Sequence, residues 1–154
     1  MAGNECSLED RLEIVKLIPQ RPPFRFLDEV LELSDSHIVS TYLFTGRESF
    51  YHGHFPGDPV TPGVILIETM AQAALVALGI HILRRENPDK KLRTLFSECA
   101  VEFFSVVTPG TRVFVHGEKV YWRRNKLQSR VELRLEDGTV AAAGTVAGLG
   151  VTIE

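Results

Sequence analysis

Cysteine is scarce in this sequence of 154 residues, which contains only Cys6 and Cys99. Two cysteines that lie so far apart form neither the disulfide framework of a small secreted domain nor the closely spaced ligand pairs of a zinc knuckle. We therefore expect two reduced thiols, as in a cytoplasmic protein. The N-terminal stretch MAGNECSLEDRLEIV also lacks the apolar run of a secretory signal peptide.

An excess of positive charge is also missing. The chain has 17 Lys and Arg against 20 Asp and Glu, a formal net charge of −3. This balance gives no general basic surface for nucleic-acid phosphates, so no nucleic-acid partner is predicted. The sequence shows no repeats of fixed period and no interdomain linker. With 44% hydrophobic and 24% charged residues, it predicts a single globular domain over residues 1–154.

The first part of the chain predicts one short helix and two strands. Ser7 with Leu8, Glu9 and Asp10 is similar to a capping box, and apolar residues repeat at helical spacing until Pro19 stops the run. The segments FRFLDEVLEL and HIVSTYLF, at 24–33 and 37–44, are rich in β-branched and aromatic residues. The intervening SDS is typical of a turn, so the two segments predict strands.

A loop rich in Pro and Gly then leads into a long apolar segment, HGHFPGDPVTPGVILIETMAQAAL, at residues 52–75. Thr61 is the predicted N-cap of a helix that begins near Pro62 or Gly63 and continues to about Arg85. Apolar residues surround this helix, which fits either a transmembrane span or a helix buried inside a fold. Polar side chains within it argue against lipid, so we predict no membrane span; they are Glu68, Gln72 and His81.

Four more strands are predicted after the helix, at 95–107, 111–122, 127–136 and 139–153, and we expect them to form an antiparallel meander. Turn residues separate them at Pro109-Gly110, at Arg123 to Lys126 and at Asp137-Gly138. A curved antiparallel sheet of about six strands wrapped around the long helix would bury every helix face without a membrane. The predicted fold class is therefore α+β, with the arrangement of a hot-dog fold.

The loop and helix carry a motif of the form HFPGxPxxPGxxxxE, which runs from His54 to Glu68 and is followed by Ala71-Gln72-Ala73. It resembles the active-site segment of the β-hydroxyacyl-acyl carrier protein dehydratases. Glu68 is similar to the FabZ type, because the FabA type has Asp at this place. The resemblance covers the chain from about Ile18 to the C-terminus.

The resemblance implies dehydration of (3R)-3-hydroxyacyl groups to trans-2-enoyl groups in fatty-acid synthesis, without a cofactor. The implied partner is an acyl carrier protein whose phosphopantetheine arm carries the substrate. The family also implies a homodimer, or a hexamer built as a trimer of dimers. In such a dimer, His54 of one subunit shares a site with Glu68 of the other.

The residue types fit this chemistry. An imidazole titrates near neutral pH, so His54 is the candidate base, while a carboxyl group in an apolar helix keeps its proton more readily, so Glu68 is the candidate acid. The backbone N–H of Gly63, in the first helical turn, can bind the thioester oxygen. By resemblance, the carbonyl of Val60 holds the proton on the other ring nitrogen of His54.

Other assignments follow from position alone. Gln72 lies one helical turn after Glu68 and is a candidate to orient the acid or a water, although an ordinary hydrogen bond in the core explains it equally well. Phe55 is a candidate for lining the acyl tunnel. His52 and His54 with Glu68 offer a second interpretation as zinc ligands, but no further ligand has recognisable spacing, so we expect no metal.

Two alternative functions stay open. The first is a thioester hydrolase on the same fold, and the second is a carrier-binding subunit without catalytic activity. The pairing of His54 with Glu68 favours dehydration over both. Five basic residues are candidates for docking an acidic carrier protein: Arg84, Arg85, Arg123, Arg124 and Lys126.

Overall fold

A computed structural model of the protein describes residues 5–152. Its first element is the helix α1, Leu8–Leu17. Ser7 is the N-cap, and its Oγ accepts a hydrogen bond of 3.1 Å from the backbone N–H of Asp10. Pro19 follows directly after the C-cap Ile18, so this helix has the predicted cap and the predicted end.

Six antiparallel strands form a single sheet. They are β1 Glu29–Leu33, β2 His37–Leu43, β3 Leu92–Phe103, β4 Arg112–Arg123, β5 Lys126–Arg134 and β6 Val140–Thr152. Their order across the sheet is β1-β2-β4-β5-β6-β3. One long helix, Gly63–Glu86, packs across the sheet and contacts β2, β4, β5 and β6. This is the predicted hot-dog arrangement.

The predicted meander is correct for β4, β5 and β6, which are neighbours in sequence and in the sheet, but it is wrong for β3. β3 pairs with β6 at the far edge, where Val101 lies opposite Gly144. A Cβ at Gly144 would overlap the carbonyl oxygen of Ala100, so the close approach of β3 requires glycine there. Alternating hydrophobicity defines a strand and one buried face, but it does not select the neighbouring strand.

The predicted turns lie where expected. Arg124 and Asn125 both have positive φ, 51° and 61°, as the two central residues of a type I′ hairpin turn require. Gly110 and Gly138, at φ of 86° and 88°, occupy the left-handed region in the connections that precede β4 and β6. The turn chemistry therefore identified these three connections from the sequence.

The central helix, Gly63–Glu86, has three parts. α-Helical segments at Gly63–Ala71 and Leu78–Glu86 flank a π-helical segment at Gln72–Ala77. The predicted start and end are correct to within one residue, but the predicted cap is wrong. Pro62 is the N-cap, while the hydroxyl of Thr61 instead lies 2.6 Å from the Tyr51 hydroxyl in a buried contact.

Burial in the fold accounts for the composition of this helix. Its most apolar window of 18 residues has a mean hydropathy of 1.9, high enough for a bilayer span, yet 61% of that window is buried inside the fold. The sheet packs closely on the middle of the helix: a Cβ at Gly117 would lie 2.8 Å from the Cβ of Ala74. Ser129 of β5 donates a hydrogen bond of 2.8 Å to the Ala74 carbonyl. The interpretation as a core helix agrees with these contacts.

Candidate active site

The loop that precedes the central helix fixes the ring of His54. The Nδ1–H of His54 donates a hydrogen bond of 2.9 Å to the carbonyl of Val60, and the N–H of Val60 donates one of 2.9 Å to the carbonyl of His54. A neutral ring that uses Nδ1–H in this way carries its lone pair on Nε2. The Val60 contact implied by the family resemblance is therefore present in this geometry.

Two local features shape the loop between these residues. Phe55 and Asp58 exchange backbone hydrogen bonds of 3.2 and 2.9 Å, which close a tight turn around Gly57, whose φ is 75°. The ring of Phe55 stacks on the imidazole of His54 with centroids 4.1 Å apart, and it is 52% exposed. His52, two residues earlier, is exposed.

The loop is also attached to the rest of the fold just before the helix. The N–H of Thr61 donates a hydrogen bond of 2.9 Å to the carbonyl of Val107, in the connection between β3 and β4. Its hydroxyl contacts the hydroxyl of Tyr51, a residue of the short 3₁₀ helix Ser49–His52. The Tyr51–Thr61 contact therefore joins the two ends of the His54 loop, and the bond to Val107 attaches that loop to the connection between β3 and β4.

Glu68 lies in the second turn of the central helix and is half-buried. Removal from water raises the pKa of its carboxyl group, and a hydrogen bond from the side chain of Gln72 partly opposes this. A raised pKa keeps the proton on the carboxyl group at higher pH, as a general acid requires.

Gln72 is fully buried, and both the nitrogen and the oxygen of its amide group are hydrogen-bonded. Its Nε2 donates to Glu68 Oε2 at 2.8 Å and to the carbonyl of Phe24 at 2.9 Å, while its Oε1 accepts the N–H of Phe26 at 2.7 Å. Both N–H donors and the oxygen thus have protein partners, one of which is Glu68, and a role of Gln72 in orienting the acid stays a prediction. The partners on the segment 24–26 could not be identified from the sequence, because they are backbone groups distant in the chain.

Gly63 is the first residue of the helix, and the ring of Phe103 lies directly over it. A Cβ at Gly63 would meet the Cζ of Phe103 at 3.1 Å, so a larger residue would have to displace the ring. The N–H groups of a first helical turn lack acceptors within the helix, and the helix dipole favours negative charge beside them. An oxygen that gains negative charge could bind here.

The structure does not join His54 to Glu68 within one chain. Among residues 5–152 it shows no hydrogen bond between these two side chains. A cavity of about 320 Å³ lies on the outer face of the sheet and not beside them. Its lining includes His37 and His116, together with charged residues of β1, β4 and β5.

Three possible metal ligands gather beside that outer cavity, a cluster that the sequence did not predict. They are Glu5, Glu32 and His37, whose ligand atoms all lie within 4.8 Å of one another. The distances are those of ion pairs, because His37 Nε2 lies 2.9 Å from Glu5 and 3.7 Å from Glu32. Glu32 and His37 lie on consecutive strands, but Glu5 is distant in sequence, so residue spacing gave no signal for the cluster of three.

The candidate docking residues differ in their surroundings. Arg85 pairs with Asp35 at 3.2 Å, and Lys126 pairs with Glu98 at 3.1 Å. The guanidinium of Arg123 lies over the ring of Tyr121, 4.6 Å from its centroid.

Comparison with known proteins places the fold and this loop–helix arrangement in one family. A family model described as the FabA-like domain matches residues 18–145. A curated 3-hydroxyacyl-[acyl-carrier-protein] dehydratase FabZ of Lactobacillus helveticus is 39% identical over 138 residues, 89% of this chain and 90% of that protein. The same enzyme of Streptococcus pyogenes is 38% identical, again over 89% of this chain, and 95% of that protein. The chain therefore belongs to the FabA-like family, which confirms the resemblance.

Solved structures confirm the fold. The dehydratase heterocomplex ApeI:P from Xenorhabdus doucetiae aligns with a TM-score of 0.75 at 19% identity, covering 90% of this chain and 91% of that one. A hypothetical thioesterase from Streptococcus pneumoniae, solved with coenzyme A, aligns with a TM-score of 0.60 at 15% identity, covering 80% and 85%. At these identities the similarity concerns the fold alone.

Proposed function

We propose that this protein is a 3-hydroxyacyl-[acyl carrier protein] dehydratase that works in fatty-acid biosynthesis as a single domain in the cytoplasm. The observation that carries the proposal is that two side chains of this FabA-like chain, His54 and Glu68, are each held by a hydrogen-bond partner. His54 has its Nδ1 bound to Val60, and Glu68 has a raised pKa and a fixed partner in Gln72. One is prepared to accept a proton and the other to donate one.

The reaction follows from these roles. His54 Nε2 removes a proton from C2 of the acyl chain while the N–H of Gly63 stabilises the negative charge that develops on the thioester oxygen. The C2 electron pair forms the C2=C3 double bond as the C3–O bond breaks. Glu68 gives its proton to the departing hydroxyl, which leaves as water. The proton on His54 then returns through solvent to Glu68, so the cycle needs no cofactor.

A second chain is part of this proposal. β3 is an edge strand whose residues are exposed on both faces, including Leu95 at 51% and Phe96 at 42%. An exposed, apolar edge is a site for pairing with another strand. We propose a homodimer in which β3 pairs with β3 of the partner, and His54 of one protomer works with Glu68 of the other. Three such dimers would form the hexamer.

The dimer also suggests where the carrier protein binds. Lys90 Nζ lies 3.5 Å from Asn125 Oδ1, which brings the start of β3 beside the turn that contains Arg123 and Arg124. Antiparallel pairing of two identical strands sets the first residues of one against the last residues of the other. The basic end of one protomer would thus lie beside Phe103 and the helix N-terminus of its partner, where an acidic carrier could dock.

The test is to incubate the protein with a 3-hydroxyacyl carrier protein and analyse the product by mass spectrometry. Dehydration removes one water and leaves the acyl group on the carrier, whereas hydrolysis, the less favoured alternative, releases the free carrier thiol. Unchanged substrate, with the protein folded and dimeric, would contradict the proposal.

A further inference from the structure

Three side chains that have no part in the proposed reaction meet beside the outer cavity. They are Glu5, which lies shortly before α1, Glu32 of β1 and His37 of β2, and their ligand atoms all lie within 4.8 Å of one another. Glu32 and His37 also line the cavity itself. None of the three belongs to the loop 52–62 or to the central helix, so this cluster is separate from the candidate active site.

A β-bulge in β1 turns Glu32 toward the outer face of the sheet. The register of β1 against β2 shifts between Val30 and Glu32, which a regular strand would place on the same face. Val30 and Leu33 are both buried in the core, so Glu32 lies on the outer face. Val39 of β2 is opposite Glu32, and His37, two residues from Val39, therefore shares that face. Bulges often redirect a side chain in this way next to functional sites.

Two of the three side chains are oriented by further hydrogen bonds. His37 Nδ1 lies 2.7 Å from the Oγ of Ser34, which is fully buried. A hydroxyl both donates and accepts, so Ser34 can accept the Nδ1–H when Nε2 binds a cation. Glu5 Oε2 accepts the N–H of Leu33 at 3.2 Å, while Glu5 Oε1 lies 2.9 Å from His37 Nε2. Metal ligands in proteins are generally held by outer partners of this kind.

The charges of the cluster favour a divalent cation. A single imidazole carries at most one positive charge, whereas Glu5 and Glu32 bring two negative ones. Within residues 5–152, Glu32 has no cationic partner except His37, at 3.7 Å. The other charged side chains of the cavity lining already pair with one another, Glu118 with Arg130 and Glu132 with Arg134.

The distances in the cluster suit zinc. Tetrahedral ligands with Zn–N and Zn–O bonds of about 2.0–2.1 Å lie about 3.3 Å from one another. His37 Nε2 is 2.9 Å from Glu5 and 3.7 Å from Glu32, on either side of that separation. The side chains of Glu5 and Glu32 are 49% and 56% exposed, so both carboxylates are free to rotate by the small difference that remains.

We propose that Glu5, Glu32 and His37 form a Zn²⁺ site that attaches the N-terminal segment to the hairpin of β1 and β2. One imidazole and two carboxylates are ligands that Zn²⁺ accepts, whereas Mg²⁺ and Ca²⁺ prefer oxygen ligands alone. Three protein ligands leave a fourth position for water. Bound zinc stabilises the fold, because the unfolded chain does not hold these ligands together. The site goes beyond the proposed dehydration and does not depend on it.

The test is calorimetric titration of ZnCl₂ into the full chain, without an affinity tag and after removal of metal with EDTA. We expect one Zn²⁺ per chain and a higher Tm with zinc than without it. His37→Gln and Glu32→Gln should each weaken zinc binding at least tenfold, because even the loss of an outer partner costs about 10–100-fold in metal affinity. MgCl₂ at the same concentration should leave the Tm unchanged.

The matched controls are Glu118→Gln and His116→Gln. They make the same substitutions in the lining of the same cavity, but outside the group of three ligands, and should keep the wild-type affinity. Glu32→Gln should not lower the Tm of the metal-free protein, since it relieves repulsion with Glu5, yet the rise caused by zinc should disappear. Equal weakening in these controls, or unchanged affinity in His37→Gln, would overturn the proposal.

Thiols are the competing ligands for zinc, and the chain has two of them, Cys6 and Cys99. The double variant Cys6→Ser, Cys99→Ser should bind zinc as the wild type does. Loss of binding in this variant would assign the metal to cysteine and overturn the proposal. Affinity and Tm are both measured without substrate, so the result does not depend on whether the protein is a dehydratase.

Discussion

His54 has one ring nitrogen bound to a backbone carbonyl, which leaves the other for the substrate. Glu68 keeps its proton to higher pH than an exposed carboxyl group because of burial. If these two side chains carry the proton transfers, His54→Ala and Glu68→Gln should each lower kcat by about 10² or more. The measurement is steady-state turnover of a carrier-bound 3-hydroxyacyl substrate.

The matched control for this prediction is His52→Ala, which removes an exposed imidazole two residues away and should keep near-normal turnover. Glu68→Gln should leave the fold intact, because an amide oxygen can still accept the hydrogen bond from Gln72. Near-normal turnover of either site variant, with circular dichroism unchanged, would show that the assigned role is wrong.

Gln72 provides a prediction about pH. Its Nε2 donates to Glu68 and so favours the ionised carboxylate, which lowers the pKa of Glu68 against the effect of burial. In Gln72→Leu the pKa of Glu68 should rise further, and the alkaline limb of the profile of kcat/KM against pH should move to higher pH. A profile that keeps its shape while turnover falls would indicate a merely structural role.

The same variant has a predicted cost in stability. Without the Gln72 amide, the N–H of Phe26 and the carbonyl of Phe24 lose a partner. An unpaired buried polar group costs about 1–3 kcal/mol, so the midpoint of urea unfolding should fall measurably. Gln72→Glu retains an acceptor for Phe26 but sets its second oxygen against two acceptors, the Phe24 carbonyl and Glu68, so it should not recover that loss.

At the scale of elements, His81 connects the central helix to the turn between β1 and β2. Its Nε2 donates to Asp35 Oδ1 at 3.0 Å, and Arg85, Cys6 and Asp10 also surround it. Burial lowers the pKa of His81 more than Asp35 raises it. The folded state therefore resists protonation, and this contribution to stability is present above the unfolded pKa and is lost as pH falls through the folded pKa.

The expected result is a lower midpoint of urea unfolding at about pH 5 than at about pH 7, with a smaller difference in His81→Gln, which cannot become charged. His37→Gln serves as the comparison, because His37 is less buried and pairs with Glu5. An unchanged pH dependence in His81→Gln would show that other groups account for the acid sensitivity.

The elements also show what the sequence can predict. The boundaries of α1, the central helix and the three turns were predictable, because each depends on a local signal such as the Ser7 cap or the residues Arg124 and Asn125. The neighbour of β3 was not, because it depends on backbone contact at Gly144 far along the chain. The predicted N-cap at Thr61 was wrong because the Thr61 hydroxyl bonds to Tyr51 instead, and only the fold brings Tyr51 close to it.

The site divides in the same way. A continuous motif pointed to His54, Val60, Gly63 and Glu68. The hydrogen bond between His54 and Val60 and the place of Gly63 in the first helical turn agree with it, while the catalytic roles stay predictions. The groups that contact these residues could not be predicted from the sequence. The ring of Phe103 over Gly63 and the backbone partners of Gln72 come from distant segments, and only the sheet topology brings them together.

For the whole molecule, the proposed docking of an acidic carrier predicts a dependence on salt. Exposed charge attraction is screened within about 10 Å at 0.1 M salt, so kcat/KM for the carrier-bound substrate should fall as salt is added. Charge reversal of Arg123 and Arg124 should reduce both kcat/KM and its salt dependence. Arg47→Glu, in the loop before the 3₁₀ helix, is a control whose charge change equals that of each single reversal, Arg123→Glu or Arg124→Glu. A salt-independent rate would rule out electrostatic docking.

The proposed division of the site between two chains gives the sharpest test at this scale. A dimer of one His54→Ala chain and one Glu68→Gln chain has one site with both defects and one with neither. Random reassembly makes about half of the dimers mixed, so the two inactive variants, unfolded and refolded together in equal amounts, should recover about a quarter of wild-type activity. Native mass spectrometry establishes how many mixed dimers form. If they form and activity stays near zero, both groups act from the same chain, and the β3 edge does not assemble the site.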